Sequence, residues 1–424
     1  MRVAFLIPVF PELHNTFILN QITGLIDRGV DLDLYPLAVG SYESAHAEVS
    51  TYQLRDRDKH ITVPAAHLDR VVSLGGRLIR PRFWKATVMS ALNPFGGRRA
   101  LSLVPAYTAA SFAKEKPYDI IHAQFGNLAP LALRLIPRSA VPTRLVLSFR
   151  GADTTSYLPK NRGRFESVFA RGDLFLPVSD DLRERLIAAG SPPARTVVHR
   201  SGIDLGRFEY SERGRAEDDP TEVLFVGRFV RKKGIQDAIA AFARTVTEVA
   251  TDRRAGASGA TPRLTLIGSG PLETDLRTQV ESLGLTQSVR FLGSLDADGV
   301  ALAMRSAHVL IAPSVTAESG DKEGVPNVIK EAMATGLPVL STRHGGIPEL
   351  VEDGLSGFLV DEHDVEGLSR RLTQLITSPE SWASIGRAGR AKVEAEYDMN
   401  LLNDLLVERY RGLLSTGGRS TVVA

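Results

Sequence analysis

Short, wholly apolar runs bounded by turn residues recur along the chain, and amphipathic stretches long enough for helices separate them. Continuous apolar strands that alternate with helices are typical of parallel sheets covered on both faces. Helix signals lie between the runs, such as Ser179 before one amphipathic stretch and Gly190 after it. The runs that we predict to be strands are residues 3–8, 120–123, 144–149 and 174–178 in the first half, and residues 223–226, 264–267, 289–292, 308–312 and 338–341 in the second.

The middle of the chain is polar and lacks a helical pattern, and a new apolar run begins directly after it. We therefore place a linker near residues 205–221, between two doubly wound α/β domains of similar size. The predicted domains are residues 1–205 and 222–395, and residues 251–262 are interpreted as a surface insertion. Parallel sheets of this kind bind ligands where the carboxyl ends of strands meet helix N-termini. The expected site is therefore the cleft between the two domains.

Composition narrows the class of protein. The 424 residues carry 51 Lys and Arg against 49 Asp and Glu, and this balance gives no overall field that favours nucleic acid. The chain has no cysteine, which excludes disulfides, thiolate metal sites and thiol nucleophiles. No uncharged stretch approaches the roughly 20 apolar residues of a membrane span. The apolar start after Arg2 is interpreted as a buried strand rather than a signal peptide, because no small-residue cleavage site follows it.

Loops after the predicted strands carry candidate ligand contacts. The first such loop lacks G-x-G-x-x-G, which counts against an NAD or FAD enzyme. Its Asn15 and Thr16 either cap the following helix or contact a ligand, and both interpretations stay open. The strand that opens the second half runs into Gly227, Arg228 and, further on, Lys233. Two cations on a glycine turn suit an anionic diphosphate, although such a cluster taken alone is more often a solvated turn.

The segment from residue 318 to residue 332 carries the most informative pattern. Glu323 and Glu331 are separated by seven residues, with a Gly-x-Pro-Asn turn and a helix start between them. We therefore predict Glu323 on a loop above the helix N-terminus and Glu331 on the helix, about two turns below. Free N–H groups at a helix start suit phosphate or sugar oxygens, and Glu331 can accept two hydrogen bonds from a vicinal diol. An upstream tight turn with Gly268 and Gly270 permits close backbone approach, which by itself is a weak indication.

Five motifs follow one another in the second half, within roughly residues 222–375. They are Gly227-Arg228…Lys233-Gly234, Gly268-Ser269-Gly270-Pro271, Glu323-x7-Glu331, Gly345-Gly346-Ile347-Pro348-Glu349 and Gly354-x-x-Gly357-Phe358-Leu359-Val360. The ordered set resembles the C-terminal domain of the family-4 retaining glycosyltransferases and is specific, unlike any single member of it. This family has the GT-B fold, in which two Rossmann-like domains face each other across a deep cleft. A C-terminal helix, predicted within residues 396–424, would return to the N-terminal domain.

Three segments of the first half extend the resemblance. They are Phe10-Pro11…Thr16-Phe17-Ile18, Ile121-His122-Ala123-Gln124-Phe125-Gly126 and Ser148-Phe149-Arg150-Gly151-Ala152-Asp153. They resemble the F-P-x-x-S-E-T-F-I, I-H-A-H-F-G and T-x-H-G-x-D segments of the branch that builds colanic-acid-type exopolysaccharides. His14 and Asn15 replace a Ser-Glu pair, and Arg150 replaces the usual histidine.

The resemblance implies a role for each matching residue. Arg228 and Lys233 would hold the diphosphate of a nucleotide-sugar donor, while Glu331 would hold the ribose. Glu323 would bind the donor sugar, and His122 would reach a sugar hydroxyl near the reacting face. As a lone histidine at a strand end, His122 is equally a satisfied core residue. The remaining donor contacts would be Gly227, Gly268, Gly270, Gly324, Val325, Pro326 and Asn327, and the candidate acceptor or phosphate contacts are Asn15, Thr16, Arg150 and Asp153.

The implied reaction is sugar transfer with retention, without a metal or cofactor, from a UDP- or GDP-linked sugar. The acceptor would be a glycan, a lipid-linked glycan or another hydroxyl compound, and no nucleic acid partner is expected. Two alternatives are a GT-B sugar-nucleotide epimerase or phosphorylase, and a sugar-nucleotide-binding protein with weak catalysis or none. The departures from the motifs keep the binding protein open as an alternative.

Residues 70–99 form a basic segment with interleaved aromatic residues and no acid. Such a segment is typical of a membrane-surface patch that could meet an anionic polyprenyl-diphosphate acceptor. The alternative is a solvated region that covers the N-terminal sheet. We expect a cytoplasmic protein, and the membrane-patch interpretation adds a peripheral contact at the inner face of the membrane, while both interpretations of the segment stay open. The basic and aromatic residues are Arg70, Arg77, Arg80, Arg82, Phe83, Trp84, Lys85, Phe95, Arg98 and Arg99.

Overall fold

The computed structural model describes residues 1–12, 16–43, 45–60, 112, 116–136, 143–214, 216, 219–254 and 260–415. Asn15, the basic segment 70–99 and residues 255–259 lie outside these ranges, so the predictions made for them stay predictions. Within the described ranges the chain forms two parallel sheets, one in each half, as the sequence predicts.

The first half contains a five-stranded parallel sheet with the strand order β2-β1-β3-β4-β5. Its strands are Arg2–Phe10 (β1), Asp31–Val39 (β2), Ile120–Ala123 (β3), Arg144–Phe149 (β4) and Leu174–Pro177 (β5). The strand β2 is not among the predicted runs. It lies at the edge of the sheet and carries Asp31 and Asp33, which pair with Arg2 at 3.5 and 2.6 Å. A search for continuous apolar runs therefore misses it.

The helices of the first half cover this sheet, and the predicted capping of one of them is confirmed. Ser179 Oγ accepts a hydrogen bond from the Leu182 amide at 3.2 Å, and Gly190 follows the helix with a φ of 104°. The helices are Thr16–Asp27 (α1), Ala47–Thr51 (α2), Ala129–Leu135 (α3), Leu158–Lys160 (α4), Arg162–Arg171 (α5) and Asp180–Ala188 (α6). Shorter helical turns are Gly126–Leu128, Asp153–Tyr157 and Pro193–Arg195.

The second half contains a six-stranded parallel sheet with the strand order β11-β10-β9-β6-β7-β8. Its strands are Glu222–Val226 (β6), Arg263–Ile267 (β7), Val289–Gly293 (β8), Val309–Ala312 (β9), Val339–Thr342 (β10) and Phe358–Val360 (β11). The first five match predicted runs. The strand β11 has only three residues and was not predicted as a strand.

The helices of the second half include one correction to the sequence analysis. Residues 251–254, predicted to begin a surface insertion, continue a helix, and Thr251 Oγ1 bonds back to the Thr247 carbonyl at 2.9 Å. The helices are Ile235–Arg254 (α7), Glu273–Ser282 (α8), Ala297–Ser306 (α9), Asn327–Ala334 (α10), Ile347–Leu350 (α11), Val365–Thr377 (α12), Trp382–Glu396 (α13) and Met399–Ser415 (α14). Shorter turns are Arg231–Lys233 and Pro379–Ser381.

The final helix returns to the first half, as the resemblance implies. Leu406, Val407 and Tyr410 of α14 are buried in the same apolar cluster as Phe5 and Ile7 of β1. The chain therefore crosses between the halves twice, and the two crossing segments pair with each other. The Ile203 amide donates to the Tyr397 carbonyl at 2.9 Å, and the Met399 amide donates to the Ile203 carbonyl at 3.1 Å.

Candidate active site

Two lysines and a glutamate gather where the loops after β6 and β9 meet, at the carboxyl edge of the second sheet. The Oε1 atom of Glu323 lies 3.1 Å from Lys233 Nζ and 3.3 Å from Lys232 Nζ. Lys232 also pairs with Asp321 at 3.0 Å. Burial acts to raise the pKa of Glu323, but the charges of Lys233 and Lys232 outweigh it and lower this pKa to about 2. The carboxylate is therefore ionised at neutral pH.

The backbone at Glu323 is fixed by a histidine that sequence reasoning did not single out. The Glu323 amide donates to His344 Nε2 at 3.0 Å, so the proton of this neutral imidazole is on Nδ1. His344 Nδ1 in turn donates to Glu362 Oε1 at 2.7 Å. A fully buried histidine thus holds the loop that presents Glu323.

Glu331 lies on α10 and Glu323 on the loop before it, as the spacing predicts. The carboxylate of Glu331 is half-buried, and no described side chain donates a hydrogen bond to it. Burial raises its pKa to about 7, although the charges of Lys330, Arg207 and Lys233 act in the opposite direction. A carboxylate with free acceptor oxygens in a half-buried position can accept hydrogen bonds from a ligand.

Arg228 is exposed, and within the described residues its guanidinium has no ion pair. It follows Gly227 at the end of β6. A Cβ atom on Gly227 would be 3.7 Å from the nearest side-chain atom, which is ordinary van der Waals contact. The next turn, Arg231–Lys233, ends at Gly234 with a φ of 63°, and it packs directly on the Pro313 carbonyl after β9. The loop therefore brings Lys233 to Glu323 and leaves Arg228 free to bind an anion.

Gly268 and Gly270 have a structural reason to be glycine. A Cβ atom at Gly268 would lie 1.9 Å from the Gly227 carbonyl oxygen, and one at Gly270 would lie 2.6 Å from the Phe229 carbonyl oxygen. The turn after β7 therefore packs against the turn after β6. Close packing of two loops explains these glycines without a ligand, and their contact with a donor stays a prediction.

The loop that carries Glu323 touches the first half of the molecule. A Cβ atom at Gly324 would lie 2.5 Å from the Arg150 carbonyl oxygen, so only glycine fits there. Gly151 has a φ of 146°, and a Cβ atom on it would lie 3.1 Å from the Lys322 carbonyl oxygen. The candidate site therefore lies beside the contact between the halves.

The structure does not bring His122 into this site, which corrects the predicted contact with a sugar hydroxyl. The imidazole has no exposed surface, and both ring nitrogens bond to protein, Nδ1 with Tyr410 Oη at 2.6 Å and Nε2 with Ser148 Oγ at 2.8 Å. Burial and the charge of Arg150 lower its pKa well below the ordinary value, so the ring is neutral. His122 is a satisfied core residue of the first half.

Arg150 and Asp153, predicted as acceptor or phosphate contacts, are both engaged with protein groups. The carboxylate of Asp153 accepts from the amides of Gly126, Arg150 and Gly151 at 2.8 to 3.0 Å. The Arg150 guanidinium donates to Gln124 and Ser201. Asp153 therefore shapes the turn after β4. Thr16 begins α1 and is half-buried.

Comparison with known proteins decides the family. Residues 206–392 match the family model described as Glycosyl transferases group 1, and residues 14–207 match the one described as Glycosyltransferase Family 4. A protein of Salmonella typhimurium named as the colanic acid biosynthesis glycosyltransferase WcaL is 32% identical over 95% of this chain and 98% of its own length. The chain belongs to the family-4 glycosyltransferases.

Two further proteins place the glycosyltransferase among its relatives. The amylovoran biosynthesis glycosyltransferase AmsK of Erwinia amylovora is 32% identical over 96% of this chain and 98% of its own. The crystal structure of Anabaena Alr3699/HepE in complex with UDP-glucose has a TM-score of 0.69 at 18% identity, covering 97% of this chain and all of that one. The two facing parallel sheets and the returning helix are the GT-B fold, as predicted.

Sequence reasoning missed two residues of the glycosyltransferase that link its halves. Lys330 is fully buried, and its Nζ donates to the Ser201 carbonyl at 2.7 Å. Glu349 accepts hydrogen bonds from the amides of Asp180 and Asp181 at 2.8 and 3.0 Å. Glu349 ends the motif Gly345-Gly346-Ile347-Pro348-Glu349, and this motif was the sequence signal that could have pointed to it. For Lys330 no sequence signal existed, because a lysine on a helix is normally solvated.

The described residues contain neither a membrane-spanning helix nor a cluster of metal ligands. None of the helices there is long and apolar enough to cross a membrane. In the same part of the chain, no three His, Asp or Glu side chains gather as a metal site. Metal-independent activity of the glycosyltransferase stays a prediction.

Proposed function

We propose that this glycosyltransferase transfers a sugar, with retention of anomeric configuration, from a UDP- or GDP-linked donor to a hydroxyl group of a glycan or lipid-linked glycan in exopolysaccharide biosynthesis. The observation that carries the proposal is the Lys233–Glu323 ion pair beside the contact between the halves, with the open carboxylate of Glu331 facing the same lysine. Arg228 is exposed on the loop that carries Lys233. The names of WcaL and AmsK support the polysaccharide class, and the UDP-glucose complex of HepE supports the donor class.

The donor would lie along the carboxyl edge of the second sheet. Glu331 would accept the two ribose hydroxyls, because its oxygens have no other donor among the described residues. Arg228 and Lys233 would bind the diphosphate, and their charge would offset the negative charge that grows on the leaving group. Glu323 would bind the donor sugar, together with the backbone of Gly324 and the start of α10.

Retention follows from substitution on one face of the sugar. The bond from the anomeric carbon to the phosphate oxygen breaks while the bond to the acceptor oxygen forms on the same face. The acceptor proton passes to the leaving phosphate oxygen, so the step balances without a protein base. It requires no metal, since Arg228 and Lys233 supply the positive charge.

One observation favours a second candidate, a sugar-nucleotide-binding protein that does not catalyse transfer. His122, for which the family resemblance implies a sugar contact, is buried with both nitrogens bonded. Donor binding without release of nucleotide in the presence of acceptor would favour this candidate.

Calorimetric titration with UDP, GDP, ADP and their common sugar conjugates tests the donor site first. We expect saturable binding of one nucleotide, lost in Glu331→Ala and kept in Glu366→Ala, which removes an exposed acid on α12. Wild-type protein that binds none of these compounds would contradict the proposal. Transfer is then measured on a lipid-linked acceptor with and without EDTA, and activity that EDTA abolishes would contradict the metal-free step.

A further inference from the structure

Ser201, which precedes the first crossing segment, receives one cation from each half of the molecule. Arg150, directly after β4 in the first half, donates from Nη1 to Ser201 Oγ at 2.7 Å. Lys330, on α10 in the second half, donates from Nζ to the carbonyl oxygen of Ser201 at 2.7 Å. We call Arg150, Ser201 and Lys330 the Ser201 junction.

The Arg150 side of the Ser201 junction is held in three directions. Its Nε and Nη2 donate to the carbonyl oxygen and the Oε1 atom of Gln124 at 3.0 and 2.6 Å. Its guanidinium carbon lies 4.4 Å from the centre of the Phe17 ring. Gln124 replaces the second histidine of the I-H-A-H-F-G motif, and Arg150 replaces the histidine of the T-x-H-G-x-D motif. Because the two replacing residues bond to each other, the two substitutions form one unit. A planar guanidinium fork suits this arrangement, and a lysine would not reproduce it.

The Lys330 side of the Ser201 junction reaches the nucleotide end of the proposed donor site. The Lys330 ammonium group is fully buried, and the centre of the Tyr397 ring lies 5.6 Å away. Among the described residues, the Ser201 carbonyl is the one group that accepts a hydrogen bond from it. Its neighbour in the chain is Glu331, the proposed ribose residue. Burial of an ammonium group that makes a single hydrogen bond costs folding free energy. Stabilisation of the fold therefore does not explain why Lys330 is buried against Ser201.

Arg150 also touches the donor site through its backbone. Its carbonyl oxygen lies against Gly324, where a Cβ atom would come within 2.5 Å. Arg150 thus contacts the Glu323 loop directly and the Glu331 helix through Ser201 and Lys330. A rigid group that touches both ends of a site fixes the placement of that site relative to the first half.

We propose that Arg150 and Lys330 are positioning residues, which meet at Ser201 and hold the first half of the molecule in register with both Glu323 and Glu331. The inference rests on the proposed function and adds to it two residues that touch no substrate. Losing either one leaves the donor contacts in place but misplaces the acceptor, and a misplacement of about 1 Å costs on the order of 100-fold in rate.

Lys330 also affects the charge of Glu331, which gives the test a second readout. The charged groups that face Glu331 are Lys330, Arg207 and Lys233, while Lys330 faces Glu331 and Arg150. Burial lowers the pKa of Lys330 to about 7 and raises that of Glu331 to about 7. Removing the Lys330 cation would raise the pKa of Glu331 further. Donor binding that needs the carboxylate would then move to higher pH.

A double-mutant cycle on the full chain tests the Ser201 junction. The variants are Arg150→Lys, Lys330→Met and their combination, with Ser201→Ala as a mild variant and Lys160→Met, an exposed lysine of the first half, as control. Transfer kinetics and donor binding are measured with UDP-glucose and GDP-mannose across neutral pH, together with Tm.

We expect kcat to fall about tenfold or more in each single variant, and the double variant to be no worse than the poorer single one. Donor KM at high pH should stay within roughly threefold of wild type. The midpoint of the pH dependence of donor binding should rise in Lys330→Met and in the double variant, and it should stay at the wild-type value in Arg150→Lys and Ser201→Ala. Ser201→Ala should resemble Arg150→Lys, because the carbonyl that Lys330 uses remains.

Multiplicative losses in the double variant would overturn the Ser201 junction. The Ser201 junction would also be overturned by variants whose Tm falls while kcat and the midpoint of the pH dependence stay at the wild-type values, because such a result indicates a purely structural role. Wild-type protein that transfers no sugar would overturn both the proposed function and this inference. An active wild type with multiplicative losses would overturn the inference alone.

Discussion

The hydrogen bonds of Glu349 to the first half support a quantitative prediction about cleft closure. The short helix α11 presents Glu349 to the first turn of α6, where Oε2 accepts from the Asp180 amide at 2.8 Å and Oε1 from the Asp181 amide at 3.0 Å. These amides begin a helix and have no intrahelical carbonyl partner. We predict that Glu349→Ala shifts the molecule towards an open cleft.

The size of this shift follows from the contacts. A hydrogen bond to a charged group contributes about 1.5–3 kcal/mol, so two at the low end give about 3 kcal/mol. Burial raises the pKa of Glu349, which reduces the stabilisation that its charged form contributes. The hydrogen bonds from the Asp180 and Asp181 amides and the charge of Arg200 offset part of this rise. A net value of about 2 kcal/mol corresponds to roughly a thirtyfold change in the ratio of closed to open molecules.

Small-angle scattering and steady-state kinetics measure the effect in Glu349→Ala, Glu349→Gln and the control Glu352→Ala, which removes an exposed neighbouring acid. We expect a larger radius of gyration and a kcat/KM lower by up to about thirtyfold in Glu349→Ala, with a smaller effect in Glu349→Gln. Nucleotide binding should persist, because the donor loop keeps its contacts. Scattering and kcat/KM equal to wild type in Glu349→Ala would refute the reasoning.

Three further predictions concern the donor site. Affinity for a sugar nucleotide should rise as pH increases through about 7, because the pKa of Glu331 is raised to about 7 and its carboxylate is the form that accepts hydrogen bonds; calorimetry of Glu331→Gln should lose this dependence. The pKa of Glu323 is about 2 in the folded state, so the unfolded chain binds more protons between this value and its ordinary pKa. The free energy of unfolding should therefore rise with pH across that acidic window, by at most about 3 kcal/mol, and denaturant titrations of Lys233→Met should show less of this rise. Arg228→Ala should lower kcat more than it raises donor KM, and an equal loss with a nucleoside that lacks phosphate would contradict its role at the diphosphate.

The parallel sheets were predictable because most of their strands are buried on both faces and read as continuous apolar runs. The edge strand β2 is not a continuous apolar run, because Asp31 and Asp33 interrupt its apolar pattern and pair with Arg2, and it was therefore not predicted. The strand β11 escaped it because three residues are too few to form a recognisable run. Local pattern therefore predicts central strands better than edges.

The candidate site was predictable only where its residues lie close together in the chain. The spacing of Glu323 and Glu331 encodes a loop and a helix, and both are present. The burial of His122 depends on Tyr410, which lies 288 positions later in the chain. In the same way, Lys330 is buried because α10 meets Ser201 of the other half. Contacts of such long range leave no local pattern in the sequence.

The ion pair of Lys233 with Glu323 also indicates why a sugar nucleotide should fit the site better than a nucleotide alone. Lys233 is the proposed phosphate ligand, yet its Nζ lies 3.1 Å from Glu323 Oε1. A diphosphate that draws Lys233 towards itself takes one cation from a carboxylate that is largely buried. Lys232, at 3.3 Å, then balances this buried charge alone, so Glu323 gains from new hydrogen-bond donors, which the hydroxyls of a donor sugar would supply. On the proposed function, binding of the phosphates and binding of the sugar would thereby be coupled through the Lys233–Glu323 ion pair.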